Sequence, residues 1–128
     1  MPLQVTTIML GVEDLARSKT FYAEGLGCTI NQDHPGFVSL DLGAGSSLAL
    51  YERSAAAADA GVSPEGSGFS GVSFHCIVDS REAVDEIMAK AVAAGGAIVK
   101  EAAGAQWGGY FGYFSDPDGH LWKAATSA

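Results

Sequence analysis

One pattern constrains the fold more than any other: the chain runs through a strand, a helix and three further strands, and then does so again. The first pass opens at residues 5–12, rich in Thr, Ile, Leu and Val as a strand should be. Asp14 stands where a helix needs an N-cap. Leu15, Phe21 and Tyr22 give the helix that follows, to about Ala23, a partly apolar side, and Gly25 and Gly27 supply its stop. Three short strands are then expected near 29–31, 37–42 and 47–52. The second pass repeats the plan. A strand at 72–78 leads to Ser80 as N-cap of a stronger helix, in which Val84, Ile87, Met88 and Ala91 fall at i, i+3, i+4 and i+7. Gly95 and Gly96 end it, and strands are expected at 97–100, 110–115 and 121–125.

The repeat predicts an α+β fold of paired βαβββ modules, with a curved mixed sheet around a cavity and the helices on its outer face. At 128 residues the chain makes one domain, module one spanning about 1–53 and module two about 71–128. Residues 54–70, rich in Ala, Gly, Ser and Pro, form the connector, with a helical turn at 55–60. Asp116-Pro117-Asp118-Gly119 joins the last two strands. Asp first, Pro second and Gly fourth suit a type I turn followed by a position of positive φ.

Fifteen acids against seven Lys and Arg give a net charge of −8, which would repel nucleic acid and anionic membrane surfaces. No apolar run approaches the ~18–20 residues of a membrane helix. The opening Met1-Pro2-Leu3-Gln4 begins no signal peptide, so a cytoplasmic location is expected. There, Cys28 and Cys76 are expected as buried thiols rather than a disulfide.

Familiar catalytic motifs are missing: there is no G-x-S-x-G, H-E-x-x-H or P-loop. Gly66-Ser67-Gly68-Phe69-Ser70-Gly71 matches G-x-G-x-x-G, but it lies in the connector and runs into a strand instead of opening a helix. His34 belongs to a turn-rich stretch and His120 follows the Asp-Pro turn, where local bonding accounts for it. His75 differs, because it falls in the middle of a strand. The stretch from Trp107 to Phe114 is the densest in aromatics, and its glycines suit either sheet core or a flat ligand laid against the pleat.

Leu10-Gly11-Val12-Glu13-Asp14-Leu15-Ala16-Arg17-Ser18-Lys19-Thr20-Phe21-Tyr22, with Leu26-Gly27, resembles the opening of vicinal-oxygen-chelate proteins, the glyoxalase, bleomycin resistance protein and dioxygenase superfamily. Gly112-Tyr113-Phe114-Ser115-Asp116-Pro117-Asp118-Gly119-His120-Leu121-Trp122 resembles their final hairpin. The superfamily spans isomerases, lyases, dioxygenases, thiol transferases and metal-free drug-binding proteins, so the resemblance speaks to fold more than to activity. In metal-using members, four strands facing one cavity each supply a ligand. By the spacing of those motifs, the corresponding positions here are Thr7, Ala49, Ser73 and Lys123. Two hydroxyls, a methyl and a cation do not make a divalent-metal site, which needs imidazole or carboxylate donors. The resemblance also implies a homodimer.

Strand alternation puts Met9 and Gly11 in phase with Thr7, and His75 and Ile77 in phase with Ser73, with Tyr51, Leu121 and Ala125 joining the cavity set. The sequence thus predicts a metal-free, cofactor-free small-molecule binding protein that sequesters an aromatic or anionic compound. Thr7, Met9, Ala49, Tyr51, Ser73, His75, Trp107, Tyr110 and Lys123 are its expected ligand-binding residues. The alternative is an enzyme of the same superfamily. It would use His75 as acid or base with Lys123 as electrostatic stabiliser, or bind a metal through His75 with Glu52, Asp41 or His120 if the register differs.

Overall fold

A computed structural model describes residues 5–66, 69–70, 72–106 and 108–128. It has an α+β fold of two compact units, Met1–Ser67 and Gly68–Ala128, each holding one four-stranded mixed sheet. No helix among the described residues is long and apolar enough to cross a membrane.

In the first unit, β1 (Thr7–Val12) is followed by α1 (Leu15–Lys19), a π-helical turn (Thr20–Gly25), β2 (Ile30–His34), β3 (Phe37–Gly43) and β4 (Ser46–Glu52). The sheet order is β1-β4-β3-β2, with β1 parallel to β4 and the other pairs antiparallel. Asp14 caps α1 through its carboxylate, which accepts from the Arg17 amide at 3.1 Å. Beyond Lys19 the helix widens into a π turn where a regular helix was expected, closed by the Leu26 amide bonding back five residues to the Phe21 carbonyl. Phe21 and Tyr22 are adjacent in sequence yet both buried, packed edge to face at 4.9 Å. The widened turn accompanies the burial of both rings. The Cys28 thiol, half-buried below this turn, has its pKa raised by burial.

α2 (Arg53–Ala60) replaces the short helical turn expected in the connector. The Glu52 carboxylate caps it at the Ser54 amide, and Gly61 ends it at a φ of 76°. A Cβ on Gly11 would lie 3.2 Å from the Arg53 Cα, so the glycine admits the start of α2 against β1.

The second unit contains β5 (Phe74–Ile77), α3 (Arg81–Ala93), β6 (Ala97–Gly104), β7 (Tyr110–Ser115) and β8 (Leu121–Thr126). Its order, β5-β8-β7-β6, repeats the first sheet strand for strand. Ser80 caps α3 at the Ala83 amide, 3.1 Å away. Val84, Met88 and Ala91 are buried by α3 as the periodicity predicts. β6 is longer than expected and crosses two register shifts on the way. Val72, expected in the core strand, precedes β5 and is exposed. In the final turn, the buried Asp116 carboxylate accepts from the amides of Asp118 and His120 at 2.9 and 2.8 Å, and Gly119 has the expected positive φ of 88°.

Candidate functional site

Each sheet has a helix-covered face and an opposite face, and alternation decides which residues reach the second. In β1, Leu10 and Val12 are buried, whereas Met9 is 47% exposed. Across the sheet Met9 pairs with Ala49, and Ala49 pairs with Ser39. One row along, Thr7 pairs with Ser47. On the other side, Gly11 pairs with Tyr51 and Tyr51 with Phe37, the two rings meeting edge to face at 6.4 Å. Thr7, Met9, Ala49 and Tyr51 therefore share one face of the first sheet, as the alternation predicted. The Thr7 row continues through Ser47 to the Asp41 carboxylate and the Tyr51 row through Phe37 to His34, so this face is acidic at one end.

The second sheet presents different chemistry on the equivalent face. His75 pairs with Lys123, Lys123 with Tyr113, and Tyr113 with Lys100. The next row runs through Ile77, Ala125, Phe111 and Ala103. The Lys123 ammonium lies 4.4 Å from the Phe111 ring centroid and 5.7 Å from that of Tyr113. The Lys100 ammonium approaches the same Phe111 ring, at 4.9 Å. Ser73 Oγ and His75 Nε2 are 3.1 Å apart along the same side of the strand. A groove of 330 Å³ runs beside Phe111, walled by Lys100, Gln106 and the small residues at 103–105.

The repeat also relates the two faces position by position. Thr7 is two residues before Met9, which pairs with Ala49. Ser73 is two residues before His75, which pairs with Lys123. Ala49 and Lys123 are therefore equivalent in the two modules, consistent with the spacing used to select them.

Tyr110 requires a correction. It was expected with the ligand-facing residues, but β7 alternation gives it to the helix-covered side. Its hydroxyl donates to Asp85 on α3 at 2.6 Å, and the Arg81 guanidinium lies 5.1 Å from its ring centroid. The hydrogen bond to Asp85 raises the phenol pKa, with desolvation and the Asp85 charge adding to it and Arg81 opposing it. Phe111, Tyr113 and Lys100 take the place Tyr110 was given. Phe111 and Tyr113 were findable by carrying the parity of Lys123 across the Asp116–Gly119 hairpin, whereas Lys100 is reached only through its pairing with Tyr113. Trp107 lies outside the described residues.

No three His, Cys, Asp or Glu side chains converge on a metal-sized point among the described residues. Two of the alternative ligands, Glu52 and Asp41, bond locally through their carboxylates. Glu52 caps α2, the Asp41 carboxylate accepts from the Gly43 amide at 2.9 Å, and the His120 amide is held in the Asp116 turn. Nor does the quartet Thr7, Ala49, Ser73 and Lys123 fit a divalent ion, since an ammonium and a methyl donate nothing to it. His34 ends β2 and is exposed.

Known proteins agree with this architecture. The family model of the glyoxalase/bleomycin resistance protein/dioxygenase superfamily matches residues 4–124. The crystal structure of a glyoxalase-related enzyme from Fulvimarina pelagi is 33% identical, with 96% of this chain and 87% of that chain covered at a TM-score of 0.87. A hypothetical protein from S. aureus is 29% identical, with 98% and 94% covered at a TM-score of 0.84. A lactoylglutathione lyase from Agrobacterium tumefaciens shares the fold at 18% identity and a TM-score of 0.69, with 98% and 94% covered. No curated protein matches the chain. A family model that matches nearly the whole chain, joined to the repeated βαβββ topology, places this protein in the glyoxalase/bleomycin resistance protein/dioxygenase superfamily.

Proposed function

We propose that this is a cytoplasmic, metal-independent small-molecule binding protein that holds an aromatic or otherwise apolar anion against the open face of the second sheet. The observation that carries the reading is the Lys123 ammonium over Phe111 and beside Tyr113, at a position where metal-using relatives place an acidic ligand. Lys123 has no carboxylate partner among the described residues, and the aromatic rings beside it provide flat apolar surface. A ligand anion would supply the missing counter-charge and a ring would stack on the phenyl surface. Ser73 and His75 border the same patch and add hydroxyl and imidazole donors. A homodimer, implied by the family resemblance, belongs to the same proposal, and sedimentation equilibrium would test it.

Two measurements test the reading together. Elemental analysis of protein purified without chelator should find no stoichiometric zinc, nickel, manganese or iron. Calorimetric titration with benzoate should give the same affinity in EDTA and in added zinc. Benzoate binding that disappears in EDTA, or a near-stoichiometric metal lost on His75→Ala, would contradict it.

The Ser73–His75 contact favours one further reading, an enzyme in which His75 serves as acid or base and Lys123 steadies negative charge. Turnover of a bound compound that is abolished in His75→Gln, with binding retained, would select that reading over simple sequestration.

A further inference from the structure

Lys100 and Lys123 are unusual among the cations of this acidic chain. Lys19 pairs with Asp33 and Lys90 with Glu86, while Arg53 and Arg81 donate to the carbonyls of Pro64 and Ala128. Lys100 and Lys123 have no carboxylate partner among the described residues, although the chain has fifteen acids to offer. Both ammoniums instead approach one ring, Phe111, at 4.9 and 4.4 Å. The pairing explains the convergence: Tyr113 lies between them in the sheet, bonded to β8 at Lys123 and to β6 at Lys100. Two like charges sharing one ring repel each other, and the ring's quadrupole compensates only in part. The groove beside Phe111 is walled by Lys100 and by small residues, and Gln106 adds an amide at its edge.

We propose that the site selects dianions: its ligand carries two negative charges, close enough to be shared by Lys100 and Lys123 across Phe111. The inference rests on the reading that this face of the second sheet is the ligand face, and it adds the charge of the ligand class. Lys123 contributes to the binding of any aromatic anion. Lys100 discriminates between one negative charge and two. A dianion relieves the repulsion between the ammoniums, whereas a monoanion leaves one of them unmatched. Two chemistries meet the requirement, a ring with two carboxylates or a ring with one doubly ionised phosphoryl group.

Benzoate, phthalate and phenyl phosphate separate these cases when titrated calorimetrically at equal ionic strength. The measurement belongs at about pH 8, above the second phosphate ionisation near 6. Phthalate, phenyl phosphate or both should bind the native protein roughly threefold to fivefold more tightly than benzoate, the upper part of the range for an exposed ion pair. Lys100→Gln should erase that preference by weakening phthalate and phenyl phosphate more than benzoate, and Lys100→Arg should retain it. A gain for phenyl phosphate alone assigns both charges to one group, and a gain for phthalate alone assigns them to two. Equal affinities in the native protein, or a Lys100→Gln variant that keeps the preference or weakens all three probes alike, would overturn dianion selection while leaving the ligand face intact. Failure of all three probes to bind would overturn the ligand face as well.

Discussion

The two modules share a topology and differ in what each sheet displays. On the side opposite α1 and α3, the row Met9–Ala49–Ser39 of the first module, with Ala49 and Ser39 buried, corresponds to His75–Lys123–Tyr113 of the second. The helix-covered sides differ too. The first module stacks Leu10, Leu50 and Val38, all buried, beneath its helix. The second stacks Cys76, Ala124 and Gly112 and lets Met88 descend from α3 into the space. One module is packed with large sheet residues on its helix side and carries an acid, Asp41, and no lysine or arginine among the strand residues of the opposite face. The other has a thin sheet floor and concentrates cationic, aromatic and imidazole groups on its open face. Duplication of the backbone plan therefore left each face free to diverge, because alternation separates the residues that hold the helix from those that meet a ligand.

This contrast can be broken on the helix side first. Leu50→Ala should cost about 2–5 kcal/mol, the range for truncating a fully buried leucine, read as a lower urea midpoint at constant slope. The corresponding floor of the second module should fail in the opposite sense. A Cβ on Gly112 would sit 2.8 Å from the Met88 methyl and 3.0 Å from the Ala102 backbone. The methyl can swing aside and the backbone cannot, so Gly112→Ala should cost about 1–3 kcal/mol by overpacking. If Gly112→Ala is neutral, the close approach of sheet and helix is not what distinguishes the modules.

The caps should behave alike in both modules. Asp14→Ala and Ser80→Ala each remove one side-chain bond to a helix amide, and each should cost about 1 kcal/mol in the same denaturation experiment.

The smallest effect concerns Tyr110, which the helix side claims. Tyr110→Phe should leave benzoate affinity unchanged, and a clear loss would return this residue to the ligand face. Its raised phenol pKa has a sign that can be followed. The neutral phenol is favoured in the folded chain, so its contribution to stability is fully present below the unfolded value near 10 and is lost as pH rises through the folded value. In Asp85→Asn the spectrophotometric titration of this tyrosine should shift downward.

Much of this architecture was legible in the residues. The duplicated plan, both N-caps, the final Asp-Pro turn and the phase of β1 and β5 follow from capping chemistry and period-two alternation, which are local signals. The π turn was not legible, because it accompanies the burial of two adjacent rings, which the period of a regular helix does not announce. β6 ran past its expected end because register shifts are set by its partner β7. The site divides in the same way. Lys123, His75 and Ser73 could be found from one strand at a time, whereas Lys100 joins them only through strand pairing. Tyr110 was misassigned because density of aromatics was used where parity along β7 was needed.

Lys123 is the residue assigned to the ligand anion, and calorimetric titration of benzoate in EDTA tests that assignment most directly when the native protein is compared with Lys123→Ala and Lys90→Ala. Lys90 is an exposed lysine paired with Glu86 on α3, so it reports what loss of any positive charge does to an acidic protein. Lys123→Ala should weaken benzoate by about 1.5–3 kcal/mol, the range for a hydrogen bond to a charged group, and Lys90→Ala should leave it unchanged. Equal affinity in all three proteins, or equal loss in both variants, would contradict the assignment of the ligand anion to Lys123.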